Sequence, residues 1–374
     1  MKQTLVLDIE VYSNYFLAQF KSIDTGKVRS FEMFDGCDFD RQTVNSILKS
    51  HRIVTFNGLN FDMPILTLAL KKFTCEQLKQ AADLIILGEK KSWEIERFYD
   101  FRTLPCDHID LIEVAPGVAI GLKLYGARLH SKKLQDLPID PAASITPEQR
   151  QLLREYCVND LDTTIDLWKV VKDRVDLREA MGKQYGIELR SKSDAQIAET
   201  VIANMVQGIT GVKPTRPVKQ VGRVYKYTAP EFLKFKTAKL QAVLKEVCES
   251  DFVIGEKGNP VEPPALKSRV VEIGSSKYRL GIGGLHSSEE SQAHFAGSDQ
   301  TILDVDVASY YPSIILQCGL FPEHMGASFL QVYKQIVDSR LAAKKEQQRL
   351  SKRIKELKKE LSDAIAKEKL SQTR

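Results

Sequence analysis

Apolar and polar positions along residues 1–185 alternate in a way that predicts strands interleaved with helices. Three short apolar runs predict strands over residues 4–7, 15–20 and 52–56. A turn-like Ser13-Asn14 separates the first two runs, and Asn57-Gly58 follows the third. Helical patterns cover residues 64–72 and 146–172. This order predicts an α/β domain over residues 1–185.

The best-marked element is the helix predicted over residues 146–172. Thr146 is a plausible N-cap, Pro147 fits the first helical position and Glu148 suits the acidic first turn. Apolar side chains then recur at helical spacing: Leu153, Tyr156, Cys157, Leu161, Ile165 and Trp168.

After about residue 210 the pattern changes to Pro- and Gly-bearing connectors around a helix predicted over residues 229–249. A Gly-rich turn (LGIGGLHSS) and a strand predicted over residues 301–309 follow. From about residue 329 we predict one or two long helices, with an antiparallel helical hairpin favoured. Their apolar seam consists of Leu350, Ile354, Leu357 and Leu361. After the first domain we predict three further segments. They are a connector (186–275), a segment that contains the Gly-rich turn and the predicted strand (276–328), and a basic helical segment (329–374).

The composition of the 374 residues is that of a protein with sizeable cores. Apolar residues make up 43% and charged residues 28%, which excludes a disordered, collagen-like or disulfide-scaffold chain. No run of about 18 apolar residues is present, and the N-terminus does not resemble a signal peptide, so we expect no membrane association. Six cysteines without a CxxC pair indicate free thiols in a reducing cytoplasm and argue against a zinc site.

Positive charge is concentrated near the end of the chain. Residues 331–374 hold 13 Lys/Arg against 6 Asp/Glu, a surplus of seven, so the overall net charge of +5 leaves the first 330 residues at −2. Such a surplus suits a polyanion such as nucleic acid, and a solvated helix face is the equally simple interpretation.

Acidic residues recur at three places in the first domain. Asp8 and Glu10 are two apart at the end of a predicted strand and therefore share a face. Asp62 closes the segment Asn57–Asp62 (NGLNFD), where it could equally be an N-cap. Tyr156 and Asp160 are one helical turn apart, as ordinary neighbours also are. Asp110, in the run His108–Leu111, is another candidate ligand, but a structural acid at a strand end is favoured there.

Taken together, the order D-x-E, N-x3-F-D and Y-x3-D resembles the three exonuclease motifs of family B proofreading DNA polymerases. The resemblance covers about residues 1–170 and implies an RNase H-like (DnaQ-like) fold with 3′→5′ exonuclease activity on single-stranded DNA ends. It implies that two Mg²⁺ ions, with Mn²⁺ as a substitute, activate water and stabilise the leaving 3′ oxygen. It also implies that Tyr156 orients the attacking water and that Asn57 contacts the DNA end. The metal ligands implied are Asp8, Glu10, Asp62 and Asp160.

Residues 304–316 (DVDVASYYPSIIL) resemble the first palm motif of the same family, D-x-x-S-L-Y-P-S, with Tyr310 in place of Leu. This implies a partial α+β palm in which Asp306 binds the polymerase metals, although Asp304 competes for that role. Tyr311 would be the steric gate against a ribose 2′-hydroxyl.

Two further features fit the same resemblance less closely. The turn at Gly283 and Gly284 resembles the YxGG-type motif that approaches DNA phosphates, although Gly281 stands in place of its Tyr. Arg340 and Lys344 lie one turn apart on the predicted basic helix, where a fingers segment would contact the incoming nucleotide. A plain loop and a solvated helix face are the alternatives.

Neither the K-x3-N-S-x-Y-G segment nor the D-T-D turn of family B polymerases occurs in this sequence. We therefore expect the N-terminal part of such a polymerase, able to proofread but needing a partner fragment for synthesis. Because the motifs begin at residue 8, the compact form resembles bacteriophage polymerases, which act in the bacterial cytoplasm. The alternatives are a non-catalytic DNA-binding subunit and a DEDD-type RNase.

Overall fold

A computed structural model of the chain describes residues 2–115, 120–218, 220–267, 269–288, 290–307 and 309–372, with side chains to residue 365. The chain divides into two compact units, Met1–Val201 and Ile202–Arg374. It passes from the first unit to the second inside helix α7 (Asp194–Thr210).

The first unit is a mixed α/β unit built on one sheet. Its strands are β1 (Thr4–Tyr12), β2 (Tyr15–Ser22), β3 (Val28–Met33), β4 (Arg52–Thr55) and β5 (Asp107–Asp110). Its other helices are α1 (Arg41–Ser50), α2 (Asp62–Leu70), α3 (Cys75–Ile86), α4 (Ser92–Phe98), α5 (Leu122–Arg128) and α6 (Gln149–Tyr185).

The sheet has the strand order β3-β2-β1-β4-β5. The three strands β1–β3 pair antiparallel, whereas β4 and β5 run parallel to β1. Helices cover both faces of the sheet. The central strand β1 carries apolar side chains on both of its faces, and these side chains are buried against the helices. Leu5, Leu7 and Ile9 pack into the core formed with α1–α3, and Val6 points to the opposite core, formed with α5 and α6. Asp8 and Glu10 share the face of Val6, toward α6.

Strand β1 is longer than the sequence predicts. The apolar run suggests a strand ending at residue 7, but antiparallel pairing with β2 continues from Leu5–Ser22 to Tyr12–Tyr15. Asp8 and Glu10 therefore lie within the strand and not at its end, because backbone hydrogen bonds to β2 hold acidic positions as firmly as apolar ones. The turn predicted at residues 13–14 is confirmed.

Helix α6 begins later and ends later than predicted. It spans Gln149–Tyr185, because residues 146–148 form a preceding turn in which the Gln149 N–H donates to the Thr146 carbonyl at 3.1 Å. It ends where Gly186 adopts the left-handed conformation with φ of 66°. Glycine suits that position because it has no Cβ to clash.

The second unit contains two small antiparallel sheets. One holds β6 (Val224–Tyr225), β7 (Phe252–Ile254) and β8 (Pro260–Val261), and the other holds β9 (Val270–Ile273), β10 (Ser276–Gly281) and β11 (Gly284–Ser287). Its helices are α8 (Ala238–Glu249), α9 (Tyr310–Gln317), a 3₁₀ turn (Glu323–Met325) and α10 (Ser328–Gln372). The predicted Gly-rich turn is the β10–β11 hairpin.

Three predictions for this unit are wrong. The helix predicted over 229–249 begins only at Ala238, because Pro230 opens a turn closed by the Leu233 N–H. The predicted hairpin of helices is instead the single helix α10, whose sequence from residue 328 to 372 contains no Gly or Pro to break it. Ion pairs three and four residues apart, such as Lys334–Asp338, support it along its exposed surface.

The third wrong prediction is the strand over 301–309. Residues 301–307 form no regular structure, and Ser309 is left-handed with φ of 55°. A strand needs a hydrogen-bonding neighbour, and none of the described strands pairs with this segment. Its apolar side chains, including Leu303 and Val305, are exposed.

Candidate active site

Three elements of the first unit bring the four predicted carboxylates together. Asp8 and Glu10 point from β1 toward α6, and Asp62 begins α2. Asp160 lies on α6, one turn after Tyr156. Strand β4 pairs with β1 only over Thr4–Val6. Beyond that point the Asp62 carboxylate lies near the Ile9 N–H, which slightly lowers its pKa, so the start of α2 lies close to β1.

Each of these carboxylates has a raised pKa, and burial is the largest cause in every case. Burial, followed by the charge of Asp160, raises the pKa of Asp8 to about 8. Burial and the neighbouring carboxylates also raise the pKa of Glu10 and of Asp62 well above their usual range. Glu10 is only 8% exposed, and none of the hydrogen bonds or ion pairs described for the chain satisfies its carboxylate. A cation bound among these carboxylates would offset their mutual repulsion and the cost of burying their charges.

Tyr156 is a buried neutral phenol at the edge of the cluster. The neighbouring Tyr156 hydroxyl lowers the pKa of the Asp160 carboxyl, although burial, the larger effect, raises that pKa overall. Burial, Asp160 and Glu10 raise the pKa of Tyr156 above its ordinary value of 10.0. The group is therefore a donor at neutral pH and not a base.

Cys157 lies beside Asp8, which the sequence pattern did not indicate. Its Sγ is 3.4 Å from Asp8 Oδ2. Asp8, Glu10 and Cys157 form the tightest group of metal-ligating side chains among the described residues, with their ligand atoms within 4.8 Å of one another. Asp62 and Asp160 are not part of this group and act on it electrostatically.

Asp110 holds the turn that contains Asn57. Its Oδ1 accepts from the Asn57 and Ile112 N–H groups at 2.8 and 3.1 Å, and its Oδ2 accepts from the Leu59 N–H at 2.8 Å. Asn57 is left-handed there, with φ of 64°. The sequence-based preference for a structural acid at the end of β5 is confirmed.

A cleft of about 350 Å³ opens beside Asp8 and Asp62. Asn57 lines it, together with the partly buried rings of Phe56 and Phe61. The cleft is therefore open next to two of the acids and offers aromatic and amide groups to a ligand.

Lys123 is a residue of this site that the sequence analysis missed. Its ammonium lies 5.7 Å from the centre of the Tyr156 ring and pairs with Asp136 at 3.3 Å. Its charge lowers the pKa of Glu10 and of Asp160, against the larger effect of burial. No spacing pattern distinguishes this lysine among the 54 Lys and Arg of the chain.

The residues singled out for the polymerase lie in the second unit. Asp306 is exposed in the irregular segment 301–307, and among the described residues no further metal-ligating side chains group around it. Tyr311 is 66% exposed on α9. On α10, the Arg340 guanidinium donates to Ser309 Oγ at 3.2 Å, and Lys344 is exposed.

Gly283 and Gly284 line an apolar cavity of about 770 Å³ in the second unit. Tyr225, Phe252 and Leu266 contribute to its wall. The two glycines therefore lie at a surface rich in apolar groups.

Within the described ranges, no helix is both long enough and apolar enough to cross a membrane. No protein-family model, curated protein or solved structure matches the chain significantly.

Proposed function

We propose that this chain is a Mg²⁺-dependent 3′→5′ exonuclease that trims single-stranded 3′ ends of DNA, within the N-terminal part of a family B DNA polymerase. The observation that carries the proposal is the cluster of Asp8, Glu10, Asp62 and Asp160 beside Tyr156, whose members come from three distant parts of the chain. We also propose that the first unit has an RNase H-like fold, and its mixed sheet with helices on both faces supports this.

The donor set fits Mg²⁺, since hard carboxylate oxygens are the ligands that this ion takes. Asp8, Glu10, Asp62 and Asp160 would hold the ions, and the Glu10 carboxylate, which has no hydrogen bond or ion pair among the described residues and keeps some contact with solvent, supports this. When bound, Mg²⁺ supplies an activated water and neutralises charge on the phosphate.

The chain's own residues would orient the reactants. Tyr156 keeps its proton beside Asp160, so its hydroxyl could donate to that carboxylate or to a water molecule. Lys123 brings a positive charge to the same side of the cluster and would stabilise negative charge that develops on the phosphate.

The cleft suits the end of a single strand. Bases stack on aromatic side chains without regard to sequence, and Phe56 and Phe61 line the cleft next to Asp62. The Asn57 side chain adds hydrogen-bonding groups there. A double-stranded end would have to unpair to reach the carboxylates, which favours mismatched ends.

For the second unit we retain the palm resemblance as a proposal. Asp306 would take part in nucleotide addition, Tyr311 would act as steric gate and Arg340 and Lys344 would contact the nucleotide. The irregular, exposed segment 301–307 supports a requirement for a partner fragment that supplies neighbouring strands. The exposed seam of α10 from Leu350 to Leu361 supports it too, because large bare apolar stripes are uncommon.

The test is a gel assay with a 5′-labelled primer–template that carries a mismatched 3′ end. We expect shortening with Mg²⁺, none with chelator, and no extension when all four dNTPs are added. Extension would refute the incomplete polymerase. DNA binding without shortening would favour the non-catalytic DNA-binding subunit, and faster shortening of an RNA primer would favour the RNase.

The double variant Asp8→Ala with Glu10→Ala should abolish shortening and leave DNA binding within a few fold, because it removes metal ligands only. Asp162→Ala is the matched control, since this acid is exposed on the same helix and pairs with Lys21. Wild-type hydrolysis by the double variant would disprove the site.

A further inference from the structure

We propose that Asp8, Glu10 and Cys157 form a site for a thiophilic divalent cation of the Zn²⁺ and Cd²⁺ class, which competes with Mg²⁺ for the two carboxylates. The cation binding itself does not depend on the proposed exonuclease function. Its consequence, inhibition of hydrolysis, does rest on that function.

The distance between the sulfur and one carboxylate oxygen is compatible with an ion of this class. A Zn–S bond of about 2.3 Å and a Zn–O bond of about 2.1 Å at the tetrahedral angle place the two ligand atoms about 3.6 Å apart. Cys157 Sγ lies 3.4 Å from Asp8 Oδ2. An oxygen of the Glu10 carboxylate lies within 4.8 Å of the Cys157 sulfur and of the Asp8 oxygen, so Glu10 could supply a third ligand.

A second and independent observation is the state of Glu10. It is only 8% exposed, and its carboxylate has no hydrogen bond or ion pair among the described residues. A carboxylate that has no protein partner and little contact with water gains from a cation that reaches it. Sulfur then decides which cation binds best, because thiolate prefers soft ions and contributes little to Mg²⁺ binding.

Binding involves no change of oxidation state. The thiol proton of Cys157, now next to Asp8 Oδ2, leaves to the buffer, and the sulfur donates its electron pair to the ion. Asp8 and Glu10 would then bind the soft cation and no longer be available to Mg²⁺. Zn²⁺ should therefore slow Mg²⁺-dependent hydrolysis.

The experiment is a titration of the full-length reduced protein with Cd²⁺ in Mg²⁺-free buffer, followed by the ultraviolet charge-transfer absorption of the Cd²⁺–thiolate bond. We expect the wild type to gain about one equivalent of this absorption over Cys157→Ser. Cys75→Ser is the matched control, because Cys75 is also buried but donates to the Met33 carbonyl, away from the acids. It should keep the wild-type signal.

Glu10→Gln provides a variant that retains the sulfur in case Cys157→Ser fails to fold. It should bind Cd²⁺ at least about tenfold more weakly, since an amide replaces the third charged ligand. Equal Cd²⁺ binding by the wild type and a folded Cys157→Ser, or by the wild type and Glu10→Gln, would overturn the proposal.

A second readout separates this proposal from the exonuclease. Zn²⁺ should inhibit the Mg²⁺-dependent hydrolysis of the wild type at a concentration at least about tenfold lower than that of Cys157→Ser, each relative to its own uninhibited rate. A Cys157-dependent Cd²⁺ signal without hydrolysis would support the cation site and refute the exonuclease. Hydrolysis with a Cd²⁺ signal indifferent to Cys157 would do the reverse.

Discussion

Glu10 lies where water scarcely reaches it, on the same face of β1 as Asp8 and toward Asp160. Without a cation, ionising several such groups together is unfavourable, because burial and mutual repulsion act in the same direction. The raised pKa values of Asp8, Glu10 and Asp62 are the consequence. At the scale of single residues, the cluster is therefore a source of instability that a bound metal ion would remove.

This gives a pH dependence of stability with a definite sign. The pKa of Asp8 in the folded protein is about 8, above its ordinary value of 3.8, so between these values the folded state holds more protons than the unfolded state. The contribution of this site to the free energy of unfolding is therefore full at low pH and is lost as the pH rises toward 8. We expect millimolar Mg²⁺ to raise the melting temperature more at pH 8 than at pH 5, measured by thermal melts against chelator.

The variant Asp8→Asn with Glu10→Gln is the control for that measurement. It should melt with a smaller loss between pH 5 and pH 8 and show little response to Mg²⁺. A wild type that Mg²⁺ stabilises equally at both pH values would contradict the argument.

Tyr156→Phe should slow hydrolysis about 10- to 100-fold, which is the range for groups that orient a metal site. The change removes the hydroxyl beside Asp160 and leaves the ring in its packing. Single-turnover rates at saturating Mg²⁺ measure it, beside the rate for Asp160→Ala, which should fall further. Equal losses would mean that the phenol does more than position other groups.

At the scale of elements, the turn after β4 is held by a side chain from the end of β5. Asp110 takes three backbone N–H groups, and one of them belongs to Asn57, whose left-handed conformation is uncommon outside glycine. The close approach at Gly58 adds to this, since a Cβ there would lie 2.1 Å from Thr55 Oγ1. The wall of the cleft therefore depends on two strands and one buried acid.

Asp110→Ala should lower the free energy of unfolding by about 2 kcal/mol, because it leaves three part-buried N–H donors without their acceptor. Urea unfolding measures the loss, and the affinity for single-stranded DNA should fall with it, since Asn57 loses its anchor. Asp110→Asn keeps one acceptor oxygen and should lie in between. An alanine variant of wild-type stability would refute this role.

At the scale of the whole molecule, the four carboxylates and Tyr156 all belong to the first compact unit, whereas the basic surplus of residues 331–374 lies in the second. In the proposed function, hydrolysis and non-specific attraction to a polyanion would therefore belong to different parts of the chain. Each can be tested without the other.

A fragment of residues 1–211, which ends just after α7, should fold cooperatively and keep Mg²⁺-dependent hydrolysis within about tenfold of the full chain on short single strands. Its DNA binding should be weaker and less sensitive to salt, because fewer basic groups displace counterions from the phosphates. Titrations at two salt concentrations measure the difference. A folded fragment without hydrolysis, where the full chain hydrolyses, would show that the second unit contributes to the chemistry.

The sequence by itself determined what depends on local spacing. The D-x-E pair on one face of a strand, the pairing of Tyr156 with Asp160 one turn apart and the strand–turn–helix after residue 52 follow from the periods of strand and helix. The structure contains each of them. The exonuclease itself remains a prediction that rests on this pattern.

Only the tertiary structure decided which distant groups meet. The extent of β1 depends on its pairing with β2, and the contact of Cys157 with Asp8 and the position of Lys123 depend on how α6 and α5 pack on the sheet. Segment 301–307 shows what happens when such contacts are missing. Its sequence resembles a strand, but none of the described strands pairs with it and it forms no regular structure. Local patterns fix periodicity, whereas contacts between distant residues depend on register and packing, which no short stretch of sequence contains.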